Sequence, residues 1–190
     1  YDPAGRNQTG ATAIGKNAMY NGAAGVNNTA IGYNASFGAN GSGGNNTCIG
    51  YDSSYSSGTV ANEFTLGNSS IGTLRCQVTS ITAISDERDK TSIETIPYGL
   101  EFVNSLQPKK FVWDHRAETD SEGNEFFSSN KGKKDIGFIA QELQSVDDDY
   151  LNLVYDENPD KLEATYGRLI PVLVQAIKEL KAEVELLKNK

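Results

Sequence analysis

Two residue types that can make and break an acyl bond stand five positions apart in the string ISDERDK (84–90): the hydroxyl of Ser85 and the amine of Lys90. A serine hydroxyl is a weak nucleophile until a base removes its proton, and a lysine can do so only when neutral. Free lysine titrates near 10.4, so burial has to lower a lysine base by about three units, at a cost of roughly 4 kcal/mol that folding must supply. Such a pair is a switch, because an unfolded or unassembled chain leaves the amine solvated, charged and inactive. The same string also reads as a helix start, with Ser85 as N-cap and Asp86 and Glu87 as first-turn acids. The two readings are compatible.

The pair lies on a boundary in composition. Residues 1–84 hold 14 of the 19 glycines and six charged side chains, Asp2, Arg6, Lys16, Asp52, Glu63 and Arg75, whose charges cancel. The whole formal charge of -8 therefore falls in residues 85–190. An acidic half of this kind repels phosphates and anionic headgroups, so neither nucleic acid nor a membrane surface is an expected partner. No apolar run approaches the roughly 20 residues that span a bilayer, so no membrane insertion is expected. The chain starts at Tyr1 with Met19 as its single methionine, which suggests a piece of a longer protein.

Before the boundary, TAIGKNA (12–18), TAIGYNA (29–35), TCIGYDS (47–53) and TLGNSS (65–70) align on Ile14, Ile31, Ile49 and Leu66, at steps of 17 or 18 residues. Each unit offers one short strand, then glycine and an Asn, Asp or small residue that supplies a turn. This is one coil of a β-roll or β-solenoid. A coil with one or two large apolar side chains buries no core alone, so stacking and winding of several chains are expected to cover it. From Leu74 through Cys76 and Val78 to Ile81, alternation marks a narrowing β-stalk that leads into Ser85.

After Lys90, Pro97 opens a short helix with Leu100, Phe102, Val103 and Leu106 as apolar positions, and Phe111 to Trp113 read as a strand. Residues 114–134 form a polar projecting arm, which the neighbouring Phe126 and Phe127 are expected to hold against another surface. Apolar runs at 136–139 and 151–155 give a further strand-to-helix passage and a strand. In the last segment Ile170, Leu173, Ile177, Leu180, Val184 and Leu187 advance by threes and fours, a heptad seam with β-branched residues at a and leucine at d. That choice alone favours two strands. Val172 and Val174 widen the apolar face toward packing on the helix's own domain.

Cys48 and Cys76 are too few for a disulfide scaffold and wrongly spaced for zinc, and both are expected as small buried thiols. His115, among charged neighbours, is expected in a solvated loop. No metal or cofactor is expected.

In order, SDERDK, KKFVWD (109–114), DIGFIAQEL (135–143) and YGRLIPVLVQAIKEL (166–180) resemble the C-terminal intramolecular chaperone and auto-processing domain of phage tailspikes and tail fibres. The IGxNA-type repeat is similar to the trimeric β-roll heads of bacterial surface adhesins and phage fibres. The resemblance implies a homotrimer in a virion tail fibre or spike, assembled in the host cytoplasm, that cuts itself once. Carried over by motif, Ser85 is the nucleophile, Lys90 the base and Ser85–Asp86 the bond. Ring chemistry points instead to Ile84–Ser85. Attack by Ser85 on the preceding carbonyl passes through a five-membered ring, whereas attack on its own carbonyl needs a strained four-membered one. A neighbouring chain's serine or an activated water avoids that strain, so both bonds stay open. Gly137, Gln141 and Glu142 match the family's GFIAQE string and are expected to serve folding and trimer packing, and Asp89 stands where relatives often carry an apolar residue.

The expected fold is therefore mixed. An N-terminal all-β trimeric β-roll (1–60) and β-stalk (61–84) precede an α+β chaperone domain (85–190) that carries the arm and ends in a long coiled-coil helix (166–190). The rival expectation is a non-cleaving trimeric adhesin or receptor-binding fibre, whose repeat binds a host cell-surface glycan. A similar self-cleaving domain occurs in eukaryotic membrane-anchored transcription factors, but the neutral repeat here offers no basic DNA-reading face.

Overall fold

A computed structural model describes residues 9–20, 25–36, 43–78, 80–120 and 123–189. It divides into two compact units, Tyr1–Leu74 with Phe111–Asp135, and Arg75–Lys110 with Ile136–Lys190. In the first unit β1 (Thr12–Ile14), β2 (Thr29–Ile31), β3 (Thr47–Ile49) and β4 (Phe64–Leu66) make a parallel sheet in chain order. Ile14 pairs with Ile31, Ile31 with Ile49 and Ile49 with Leu66, so the register follows the sequence repeat.

The repeat chemistry explains the stacking. A Cβ on Gly15 would lie 2.5 Å from the Gly32 carbonyl oxygen of the next coil, at a φ of +121° that side chains rarely adopt. Asn17, Asn27, Asn34, Asn45 and Asn62 hold left-handed backbone (φ 55 to 64°), which asparagine tolerates best after glycine. Their amides then bridge coils, Asn17 Nδ2 donating to Asn34 Oδ1 (3.1 Å) and Asn45 Nδ2 to Asn62 Oδ1 (2.8 Å). Lys16 lies over the Tyr33 ring, which stacks in turn on Tyr51 of the following coil.

A three-residue strand sends its middle side chain to one face and the outer two to the other. The middle residues Ala30 and Cys48 are fully buried, whereas Ile14 and Leu66 are 58 % and 51 % exposed. Small strand centres thus line the interior beside Met19, Tyr55 and Val60, while the ends Ile14 and Leu66 of the outer strands face outward. Burial pushes the Cys48 thiol up to about 12. Cys76 departs from expectation. It is exposed, on a segment that leaves β4 without forming a strand among its described residues up to 84, because alternating residues make a strand only beside a partner.

The arm carries the hairpin β6 (Glu118–Thr119) and β7 (Glu125–Phe126), between β5 (Lys109–Val112) and β8 (Lys134–Gly137), which pair with each other. Polar groups fasten it to the chain at the end of the sheet. Ser128 Oγ donates to Ser69 O (2.6 Å), Ser129 Oγ to Ser70 O (2.9 Å) and Asn130 Nδ2 to Ser69 O (2.9 Å). Phe127 instead receives the Lys131 ammonium over its ring, and His115 stacks on Trp113.

The second unit builds its core from Leu143, Leu151, Leu153, Leu169 and Val172. The residues come from α2 (Ala140–Gln144), the approach to β9 (Val154–Tyr155), which pairs with β10 (Glu163–Ala164), and α3 (Leu169–Lys188). Phe102 and Val103 of α1 (Leu100–Ser105) pack against it. The α1 N-cap is Gly99, which has no side chain to cap with, and Glu179 of α3 does so instead, its Oε2 accepting from Leu100 N at 2.7 Å. A Cβ at Gly99 would stand 2.0 Å from that carboxylate. The Leu100 N–H, then the Gln175 amide, hold the Glu179 carboxyl below its ordinary range.

Two outcomes follow. Asn46 is buried, donating to Val60 O and accepting from Glu63 N, both at 2.8 Å. Asn46→Ala strands both partners and should cost about 2 kcal/mol or more, read as a lowered thermal midpoint of the repeat unit; an unchanged midpoint would contradict the bridging role. For Glu179, a lowered folded pKa means stability that is full above the unfolded value of about 4.3 and is lost as pH falls through the folded value. The deficit of Glu179→Gln relative to wild type should therefore be present near neutrality and close toward about pH 3; a pH-independent deficit would refute the cap.

Candidate functional site

A one-turn 3-10 helix, Glu87–Asp89, folds the boundary string back on itself. Serine and aspartate both make good N-caps. Here Asp86 takes the position, with extended backbone (φ -69°, ψ 137°) and Oδ1 accepting from Arg88 N at 2.9 Å. The Ser85 N-cap expectation is thereby corrected by one residue, and Ser85 stays outside the turn with its hydroxyl free for another partner. At the other end Lys90 leaves in extended conformation (φ -126°, ψ 150°) while its N–H donates to Glu87 O at 3.0 Å.

With extended backbone on both sides of a single turn, residues 85 and 90 meet. Lys90 Nζ lies 2.5 Å from Ser85 Oγ and donates to the Ser85 carbonyl oxygen at 2.8 Å. One amine thus touches both the hydroxyl of Ser85 and the oxygen of the Ser85–Asp86 peptide bond. Beside it the Arg88 guanidinium grips Asp86, Nε to Oδ1 at 2.9 Å and Nη2 to Oδ2 at 2.7 Å. This fork, then the Arg88 N–H, holds the Asp86 carboxyl below the usual carboxylate range. Residues 85–90 are all exposed, and no helix or strand among the described residues packs on the turn. The apolar residues before it, Ile81 and Ile84, are 97 % and 95 % exposed.

The remaining expected residues sit elsewhere. Ile170, Leu173, Ile177, Leu180, Val184 and Leu187 lie on the exposed side of α3, while Leu169, Val172 and Ala176 face the unit's own core. One helix therefore carries two apolar faces, and Val172 belongs to the inner one. Of the GFIAQE residues, Gly137 ends β8, Gln141 is exposed on α2 and Glu142 pairs with Lys109 at 3.6 Å, so none meets the turn. Two features went unread: the Asp86–Arg88 fork, whose signal is an acid two residues before an arginine, and the Ser128–Asn130 grip, hidden behind the neighbouring phenylalanines.

Among the described residues no cluster of His, Cys, Asp and Glu is placed to hold a metal ion, and no helix is long and apolar enough to cross a membrane. Fold and site together define a small α+β domain, entered through a turn that sets a hydroxyl, an amine and a peptide carbonyl against one another. Residues 85–152 match the model of the peptidase family described as chaperone of endosialidase, a match that supports a C-terminal intramolecular chaperone domain in this part of the chain. No curated protein and no solved structure matches the chain.

Proposed function

We propose that the chain belongs to a viral tail fibre or tailspike, in which residues 85–190 bring three copies into register and then release themselves by one cut beside Ser85. The observation that carries this reading is the Lys90 amine on both Ser85 Oγ and Ser85 O, inside the segment matched by the family.

The contact favours the Ser85–Asp86 bond. A donor on the Ser85 carbonyl oxygen is aimed where negative charge develops when that carbonyl is attacked. The attacking oxygen, from water or a neighbouring chain's serine, avoids the four-membered ring. Its proton passes to neutral Lys90, the carbon–nitrogen bond breaks, and the Asp86 nitrogen leaves as an amine after taking a proton back from Lys90; where a serine attacks, water then hydrolyses the ester so formed, giving the Ser85 carboxylate and the free serine. Neutral Lys90 requires burial that a single chain lacks at this turn. Three chains supply it together: exposed Ile81 and Ile84 come just before the turn, the outward α3 seam offers the helices a common contact, and outward Ile14 and Leu66 do the same for the sheet. Assembly thus precedes chemistry.

On a denaturing gel, wild type should yield pieces 1–85 and 86–190, whereas Ser85→Ala and Lys90→Ala should run as intact chains. Mass spectrometry distinguishes this from a cut at Ile84–Ser85, and an uncut, natively assembled wild type would remove the peptidase role in favour of a fibre module that only assembles and binds. Ile177→Asp, on the exposed seam, should leave the circular-dichroism spectrum of the monomer unchanged and lower both oligomer content by light scattering and cleavage; full oligomer with the variant would show that the seam is not the interface.

A further inference from the structure

We infer that Arg88 is a positioning residue for the Ser85–Lys90 pair: by occupying the Asp86 carboxylate it keeps the Lys90 amine on Ser85. The inference rests on the proposed role of Lys90 as the base for the cut beside Ser85. Asp86 follows Ser85 directly, so its carboxylate is the acid that adjoins the two Ser85 oxygens touched by the Lys90 amine. A lysine paired to a carboxylate is held in its charged form, the form that cannot act as a base. The acid is instead taken by a planar fork, at 2.9 and 2.7 Å, which matches both carboxylate oxygens as an ammonium cannot and never gives up its proton. The other charged groups on the turn are Glu87 and Asp89, and neither forms an ion pair with Lys90 among the described residues; no further element packs there. An exposed ion pair adds little stability, so the consequence of the fork lies in which cation the acid holds.

The test reads Lys90 directly and does not depend on cleavage. In full-length Ser85→Ala chains, competitive labelling by acetic anhydride at about pH 8, followed by mass spectrometry, reports the neutral fraction of Lys90. Adding Arg88→Ala should slow its labelling about twofold to fivefold, the range open to an exposed pair of lysine and carboxylate. Arg88→Gln, which keeps the stem but loses the charge, should do the same. Further addition of Asp86→Asn, which still caps the turn, should return labelling to the rate of Ser85→Ala alone. Unchanged labelling in Arg88→Ala and Arg88→Gln, or slow labelling that Asp86→Asn fails to restore, overturns the inference. With Ser85 present, cleavage rates should follow the same order. If the labelling pattern holds while no chain cuts, the peptidase reading fails and the role of Arg88 stands.

Discussion

Contact and burial are separated at the Ser85–Lys90 turn. The amine already lies 2.5 Å from the hydroxyl, on a segment every residue of which is exposed. Proximity is built by local backbone alone: an aspartate cap, one turn of 3-10 helix and extended residues on either side. Removing water from a charged amine requires a low-dielectric surround, and no helix or strand among the described residues packs on this turn to supply one. The chemistry proposed for this protein therefore depends on surface that comes from outside the single chain, and the distribution of apolar residues shows where such surface is on offer.

That distribution is uneven in an informative way. Soluble monomers rarely leave contiguous apolar surface uncovered. Here the outer faces of β1 and β4, the segment from Leu74 to Ile84 and the outer side of α3 all do so. The interiors, by contrast, are modest: small side chains inside the sheet, five buried aliphatics at the heart of the second unit. In the proposed trimer the uncovered faces form one continuous programme, in which the α3 seam brings chains together and the stalk and sheet close behind it.

Much of this was legible in the sequence because the repeat positions are chemically over-determined. Glycine is required where coils touch and asparagine where the backbone turns left-handed, so each coil advertises itself. The heptad positions of α3 were equally plain, and its second, inward face of Leu169, Val172 and Ala176 showed only as a widening of the stripe. What stayed hidden was decided by competition between similar residues or by distance along the chain. Ser85 and Asp86 are comparable caps, and only the fold chooses between them. Glu179 caps a helix 79 residues earlier in the chain, which no local pattern records. The alternation after Leu74 reads as strand, yet a strand is a property of two partners and one chain supplies only the first.

The arm is held to the chain that follows β4 by a distinct kind of contact. Ser128, Ser129 and Asn130 donate to main-chain carbonyls of residues 69–71, and the Ser129 N–H donates to Ser70 Oγ at 3.4 Å, so the grip reads mainly backbone. An exposed end of a parallel sheet is a template for mispairing. The arm residues hold the chain just beyond β4, the last strand of that sheet.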